Sequence, residues 1–149
     1  MSRVLRQFRV VFNAVKTHFQ QVEKQAGIGG AQVWALSVIQ ARPGIGVNDL
    51  ARAMDVRQPT ASNLVRSLAA SNLIEARRSD LDRRAVHLHL RAPGLQILRR
   101  TPGPFAGVLP QSLGRLDTRT LRRLEQDLAA LIAELEVDDR AAEAPLGSL

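Results

Sequence analysis

Two segments at opposite ends of the chain share one apolar rhythm. Leu5, Phe8, Phe12, Val15, Phe19 and Val22 step by 3, 4, 3, 4 and 3 residues, and Leu121, Leu124, Leu128, Leu131 and Leu135 step by 3, 4, 3 and 4. Each rhythm draws a narrow apolar stripe down a helix, which predicts helices over about residues 3–26 and 117–136. Gly27-Ile28-Gly29-Gly30 stops the first of them. From Ala31 to Ala41, Val33, Trp34, Leu36, Val38 and Ile39 cover a broad surface, the pattern of a buried helix, and Arg42-Pro43-Gly44 ends it. Trp34 reads as a core residue there before it reads as the wall of a pocket.

The middle of the chain alternates faster. After an extended stretch at Ile45, Asn48–Met54 makes a short helix with Leu50, Ala51 and Met54 inward and Asp49 in its first turn. Asp55-Val56-Arg57 is a turn. A helix then runs from Gln58 to about Ala70, with Pro59 in the first turn, where a missing N–H costs nothing, and Ala61, Leu64, Val65 and Leu68 at core spacing. Its other face is Gln58, Thr60, Ser62, Asn63, Arg66 and Ser67. Asn72 suits a left-handed cap. Leu73–Arg78 reads as a strand with Ile74 and Ala76 on one face and Glu75 and Arg77 on the other. Ala85–Arg91 alternates Val86, Leu88 and Leu90 inward with His87, His89 and Arg91 outward. The six residues between them, Ser79-Asp80-Leu81-Asp82-Arg83-Arg84, form a loop tipped by two arginines.

A narrow stripe on a terminal helix must be covered either by the rest of its own domain or by a second chain. The matching stripes, with Leu5, Phe8, Phe12 and Val15 at one end and Leu121, Leu124, Leu128 and Leu131 at the other, favour a dimerisation region over packing within one chain. Between them, Thr101-Pro102-Gly103-Pro104 and Pro110 break any long helix. A short helix over about 94–100 and then an irregular connection are expected there. The organisation that follows is a dimerisation helix over residues 1–30, a compact centre over 31–100, a proline-interrupted connection and second dimerisation helix over 101–137, and a disordered acidic tail over 138–149.

Charge sharpens this division. The net charge is +7, and it is +4 over residues 1–56, +6 over 57–100 and −3 over 101–149. The use of 19 Arg against 2 Lys is explained by codon bias, but the clustering is not. A basic centre joined to an acidic end faces a polyanion. Gln and Asn bond adenine edges, Arg bonds guanine O6 and N7, and Ser or Thr offers a hydroxyl, so the polar face of residues 58–70 suits a helix lying in a DNA major groove. On its own that face reads first as a solvated one. The arginine-tipped hairpin beside it, suited to an electronegative minor groove, decides for DNA.

Other chemistry finds little support. The chain has no cysteine, which removes disulfides, thiolate metal sites and thiol redox sensing and makes the cytoplasm the simplest compartment. No run of about 18 apolar residues offers a membrane span. His87 and His89 share a strand face without a third metal ligand, the Gly27–Gly30 turn lacks the strand and helix of a phosphate cradle, and no nucleophile–base pair points to an enzyme. No metal or cofactor is expected.

Asp49-Leu50-Ala51, Gln58-Pro59-Thr60-Ala61-Ser62, Leu73-Ile74, then Asp82-Arg83-Arg84 followed by Val86, Leu88 and Gly94, resemble the MarR family of winged helix-turn-helix transcriptional regulators over about residues 30–98. The resemblance implies a mainly α (α+β) winged helix-turn-helix fold with N- and C-terminal helices forming the dimer. It implies that residues 58–70 enter the major groove, with Gln58, Thr60, Ser62, Asn63 and Arg66 as base or phosphate contacts. Arg57, Arg77 and Arg83 are further candidates for the DNA contact. By position the wing arginine that reaches the minor groove is Arg84, with Asp82 holding it or a neighbouring arginine in place. Family members are homodimers that commonly repress promoters, and many release DNA when a small ligand binds. Gly46, Arg57 and Arg91-Ala92-Pro93 depart from the family's usual capping residues, and the prolines interrupt what is usually one long helix. The expected partner is therefore a pseudo-palindromic double-stranded DNA. The competing reading is a winged-helix interaction protein that binds another regulator or RNA.

Overall fold

The computed structural model describes residues 1–137 and 145–148. In chain order it contains α1 (Ser2–Ala26), α2 (Gly30–Ala41), α3 (Val47–Met54), α4 (Gln58–Ala70), β1 (Ile74–Arg78), β2 (Val86–Leu90), α5 (Ala92–Arg100), α6 (Val108–Leu113) and α7 (Thr118–Glu134), and ends in a 3₁₀ turn at Leu146–Ser148. This is a winged helix, mostly helical with one small antiparallel sheet.

The core forms where the stripes converge. Leu36 and Ile39 of α2, Leu50 and Met54 of α3, Leu68 of α4, Ile74 of β1 and Leu88 of β2 are fully buried, and each such side chain removed from water contributes about 1.5–3 kcal/mol. Leu64 and Val65 of α4 and Trp34 of α2 pack against this cluster from its rim, which fits the core reading of Trp34. Gly27 and Asn72 take left-handed conformations at φ 75° and 60° and turn the chain out of α1 and into β1.

Strands β1 and β2 pair in register from Ile74 opposite Leu90 to Arg78 opposite Val86. Ile45 adds a third rung: Leu88 N–H donates to its carbonyl at 3.0 Å, and Gly44 N–H donates to the Leu88 carbonyl at 2.8 Å. The hairpin is thereby anchored at the middle of β2 while its far end leaves the core. Ala76, expected to turn inward with Ile74, is exposed even though it pairs with the fully buried Leu88.

Helix α1 contributes Phe19, Val22 and Ala26 to the buried winged-helix core, while Leu5 and Phe12 near its start are 48% and 67% exposed. Two expectations change. The proline segment is not wholly irregular, because Val108–Leu113 forms α6 with Pro110 in its first turn, where no backbone N–H is required. Part of the expected disordered tail is ordered. Residues 138–144 and 149 lie outside the described residues, but Leu146–Ser148 is seated so tightly that a Cβ on Gly147 would lie 2.9 Å from both Ala31 N and Phe19 Cε1.

Helix α7 has no buried residue. Asp117 caps it, accepting hydrogen bonds from the Thr120 N–H at 2.9 Å and the Thr120 hydroxyl at 2.7 Å. Leu128, Leu131 and Leu135 stand open along its stripe.

Candidate nucleic-acid interface

Helix α4 starts where Pro59 presets the first turn and Arg57 takes the N-cap position. Ala61 and Leu68 fasten it to the core, which leaves Gln58, Ser62, Asn63 and Arg66 on the outward side. Two hydrogen bonds run along that side: Gln58 Nε2 donates to Ser62 Oγ at 2.9 Å, and Arg66 Nη1 donates to Asn63 Oδ1 at 3.1 Å. Both pairs span about one helical turn, so the four side chains are preordered as two units. Thr60 sits apart. It is half-buried and faces a second groove with Asn63 and Ser67, on the side of α2.

The wing is a structured loop. Ser79 N–H donates to the Ala85 carbonyl at 3.0 Å, and the Ser79 hydroxyl accepts from Leu81 N–H at 3.2 Å. The Asp82 carboxylate accepts from the Arg84 backbone N–H at 2.9 Å. Asp82 thus orders the wing through the main chain rather than by gripping a guanidinium group. Arg83 and Arg84 are exposed, and so is Leu81 at the tip.

The decisive placement is that Gln58 and Arg84, far apart in sequence, line one groove. Arg42, Asn48, Asp49 and His87 complete its walls. His87 fixes one of those walls by bonding through Nδ1 to the Gly44 carbonyl at 3.0 Å; since a carbonyl only accepts, this ring nitrogen carries the proton. Arg42 was not legible as part of the site. In sequence it ends α2, and the bridge of Ile45 to Leu88 of β2 brings the segment that follows it into one groove with Arg84.

Arg77 is placed differently from the other arginines. Its Nη2 donates to Glu75 Oε2 at 3.0 Å on the same face of β1. The hydrogen bond to Arg77, then the charges of Arg77 and Arg91, hold the Glu75 carboxyl below its ordinary range, and the reciprocal bond raises the Arg77 guanidinium. The pair is solvated, so it adds little to stability, yet it cancels one positive charge on the wing.

A residue that sequence reasoning missed joins α4 to α2. Gln32 Nε2 donates to Ser67 Oγ at 2.7 Å, and its Oε1 accepts from Gly29 N–H at 3.0 Å, so one side chain caps α2 and grips the outward helix. The glutamine three residues after a helix cap was the available signal. Glu23, Gln32, Thr60, Asn63 and Ser67 line the groove that results, with the C-terminal turn at its edge.

Among the described residues no helix is long and apolar enough to cross a membrane. A family model described as the MarR family matches residues 26–85. The transcriptional repressor MprA of Escherichia coli K12, and that of Escherichia coli O157:H7, are each 29% identical over 115 residues, covering 76% of this chain. The chain spans 65% of the length of these curated relatives. Among solved structures, the MepR–DNA complex of Staphylococcus aureus is similar at a TM-score of 0.54 and 25% identity, over 87% of this chain and 97% of that one. FabT of Streptococcus pneumoniae in complex with DNA is similar at 0.57 and 20%, over 91% and 96%.

Proposed function

From the MarR-family winged helix that this chain carries over residues 26–85, we propose that the protein is a sequence-specific DNA-binding transcriptional regulator, acting as a homodimeric repressor on a pseudo-palindromic operator. The observation that carries this reading is the shared groove of Gln58 and Arg84, because it aims a polar helix and an arginine-tipped hairpin at one side of the molecule. Helix α4 lies in the major groove with Gln58, Ser62, Asn63 and Arg66 against base edges and phosphates, and Arg84 enters the adjacent minor groove with Arg83 at its rim. Arg42 and Arg57 flank the groove as phosphate contacts, which position the protein without reading sequence. The similarity to the transcriptional repressor MprA and to the DNA-bound neighbours supports this reading.

The dimer rests on the open stripes of α1 and α7. Leu5 and Phe12 on α1 and Leu131 and Leu135 on α7 each leave an open apolar stripe of the kind that marks an association site. Two copies related by a two-fold axis present two α4 helices to two half-sites about one helical turn apart. A small-molecule effector fits the groove of Glu23, Gln32 and Ser67, since anything seated there presses on α4 directly. A mobility-shift titration against the promoter region upstream of the protein's own coding sequence tests the reading: retention of that duplex in excess random competitor supports it, and equal competition by random duplex refutes it.

A further inference from the structure

Leu81 stands fully exposed at the tip of the wing. Every other large apolar side chain from Gly27 to Arg115 is buried or half-buried, so within the winged-helix part this leucine alone is left in water. The tip that carries it is ordered from both sides. The Ser79 hydroxyl accepts from the N–H groups of Leu81 at 3.2 Å and Asp82 at 3.4 Å. The Ala85 N–H donates to the Asp82 carbonyl at 3.0 Å, and the Ser79 N–H closes the loop on the Ala85 carbonyl. A side chain mounted on such a turn loses little further backbone freedom when a partner buries it. Charge is not what the tip offers. Asp80 and Asp82 flank the leucine, and the exposed cations Arg78, Arg83 and Arg84 lie nearer the strands.

From this placement we infer that Leu81 is an apolar wedge: it enters the minor groove ahead of Arg84, partly unstacks one base step and bends the duplex. This rests on the DNA-binding regulator proposed above and adds to it a residue that reads deformability rather than base edges. The loop arginine Arg84 lines one groove with Gln58 of α4, so sending that arginine into the minor groove takes the leucine three residues before it to the same place. Leucine is among the side chains that unstack a base step from the minor-groove side, and the bend that follows brings more of the duplex against the protein. Pyrimidine–purine steps unstack most readily, and of these TA also presents the A·T edges and electronegative groove that suit an arginine. A TA step beneath the wing therefore satisfies Leu81 and Arg84 together, and the leucine discriminates there without making a hydrogen bond. The competing use of an exposed leucine, contact with another protein, would leave DNA shape and step preference untouched by its removal.

Bending of a duplex selected by the full chain from a randomised pool tests this. The duplex is labelled at both ends, and energy transfer reports its bend with the parent, Leu81→Ala and Leu81→Met. Thermal melting reports whether each variant remains folded, which the exposure of Leu81 favours. The parent is expected to bend the duplex by about 20–90°, Leu81→Ala by less than about half as much, and Leu81→Met, which keeps a long apolar side chain, nearly as much as the parent. Leu81→Ala should lose about 5-fold or more in affinity for the selected duplex and less than about 2-fold for random duplex, which is held through phosphates. Replacing the TA step beneath the wing by AA should weaken the parent by about 5-fold and leave Leu81→Ala unchanged, because the two changes remove one interaction. A selectively bound duplex that stays straight, one that lacks a TA step beneath the wing, or a bend that is the same in Leu81→Ala overturns the wedge and leaves the DNA-binding regulator standing. Failure of the full chain to select any sequence overturns the regulator, and the wedge with it.

Discussion

The Asp82 carboxylate accepts a hydrogen bond from the backbone N–H of Arg84 at 2.9 Å, and this sets the direction in which the wing arginine leaves the loop. Removing the acceptor frees the turn between Asp82 and Arg84 without touching the guanidinium. Asp82→Ala is therefore expected to lower operator affinity about 3- to 10-fold, the order of one charged hydrogen bond. Because the loop is exposed, the melting temperature should hardly move. Fluorescence anisotropy with a labelled operator, paired with thermal melting, checks both halves.

On the proposed DNA-binding face, Glu75 opposes binding. Its carboxylate occupies Arg77 at 3.0 Å and carries negative charge on the wing face. Glu75→Gln should raise affinity for operator and for random duplex alike, by a few-fold, and steepen the salt dependence by up to about one phosphate contact. The slope of log affinity against log salt is the measurement. An unchanged slope would place Arg77 outside the DNA contact.

The course of the chain through the winged helix was readable in advance, and the reasons are specific. Pro59 and the core spacing of Ala61, Leu64, Val65 and Leu68 mark α4, and the alternation of Val86, Leu88 and Leu90 marks β2. Both patterns are local, and local periodicity survives into the fold. What was not readable depends on contacts across the chain. Arg42 reaches the site only through the bridge of Ile45 to Leu88, and Gln32 only because α2 crosses α4 near Ser67. The seating of Leu146–Ser148 depends on glycines that let Phe19 lie close: a Cβ on Gly30 would stand 2.5 Å from Phe19 Cδ1, and one on Gly107 would stand 2.9 Å from Phe19 Cζ. Composition shows such residues as breakers and gives no sign of the ring they accommodate.

Gly94 has a packing role that follows from the same kind of close approach. A Cβ there would run into the Leu73 carbonyl oxygen, which is backbone, and would also meet Leu90 Cδ2 at 3.3 Å. The Leu73 carbonyl is held by the Arg91 N–H at 3.0 Å and cannot yield cheaply. Gly94→Ala should destabilise the fold by about 1–3 kcal/mol despite the better helix propensity of alanine. Chemical denaturation of the purified variant gives the value, and a gain in stability would contradict the packing described for α5.

Acid should loosen α7 before the core. The Thr120 backbone N–H, then its hydroxyl, hold the Asp117 carboxyl below its ordinary range. A carboxyl depressed in the folded state contributes stability that is fully present above its unfolded value and is lost as pH falls through the folded one. Helix content and dimerisation should therefore be flat from neutral pH down to about pH 4 and decline below it. Asp117→Ala should show reduced helicity at neutral pH and a weaker acid decline, as read by circular dichroism.

On the proposed function, one basic face, built from α4 and the wing, reads a particular DNA sequence. Selection of bound fragments from randomised duplex by the purified full chain, followed by affinity measurement at about 0.15 M salt, tests it most directly. The expected result is enrichment of a two-fold related sequence with half-sites one helical turn apart, bound at least ~10³-fold more tightly than random duplex. That preference should shrink sharply in Gln58→Ala and in Arg84→Ala. Recovery of no common sequence, with affinity for every duplex equal and set by salt alone, would contradict it.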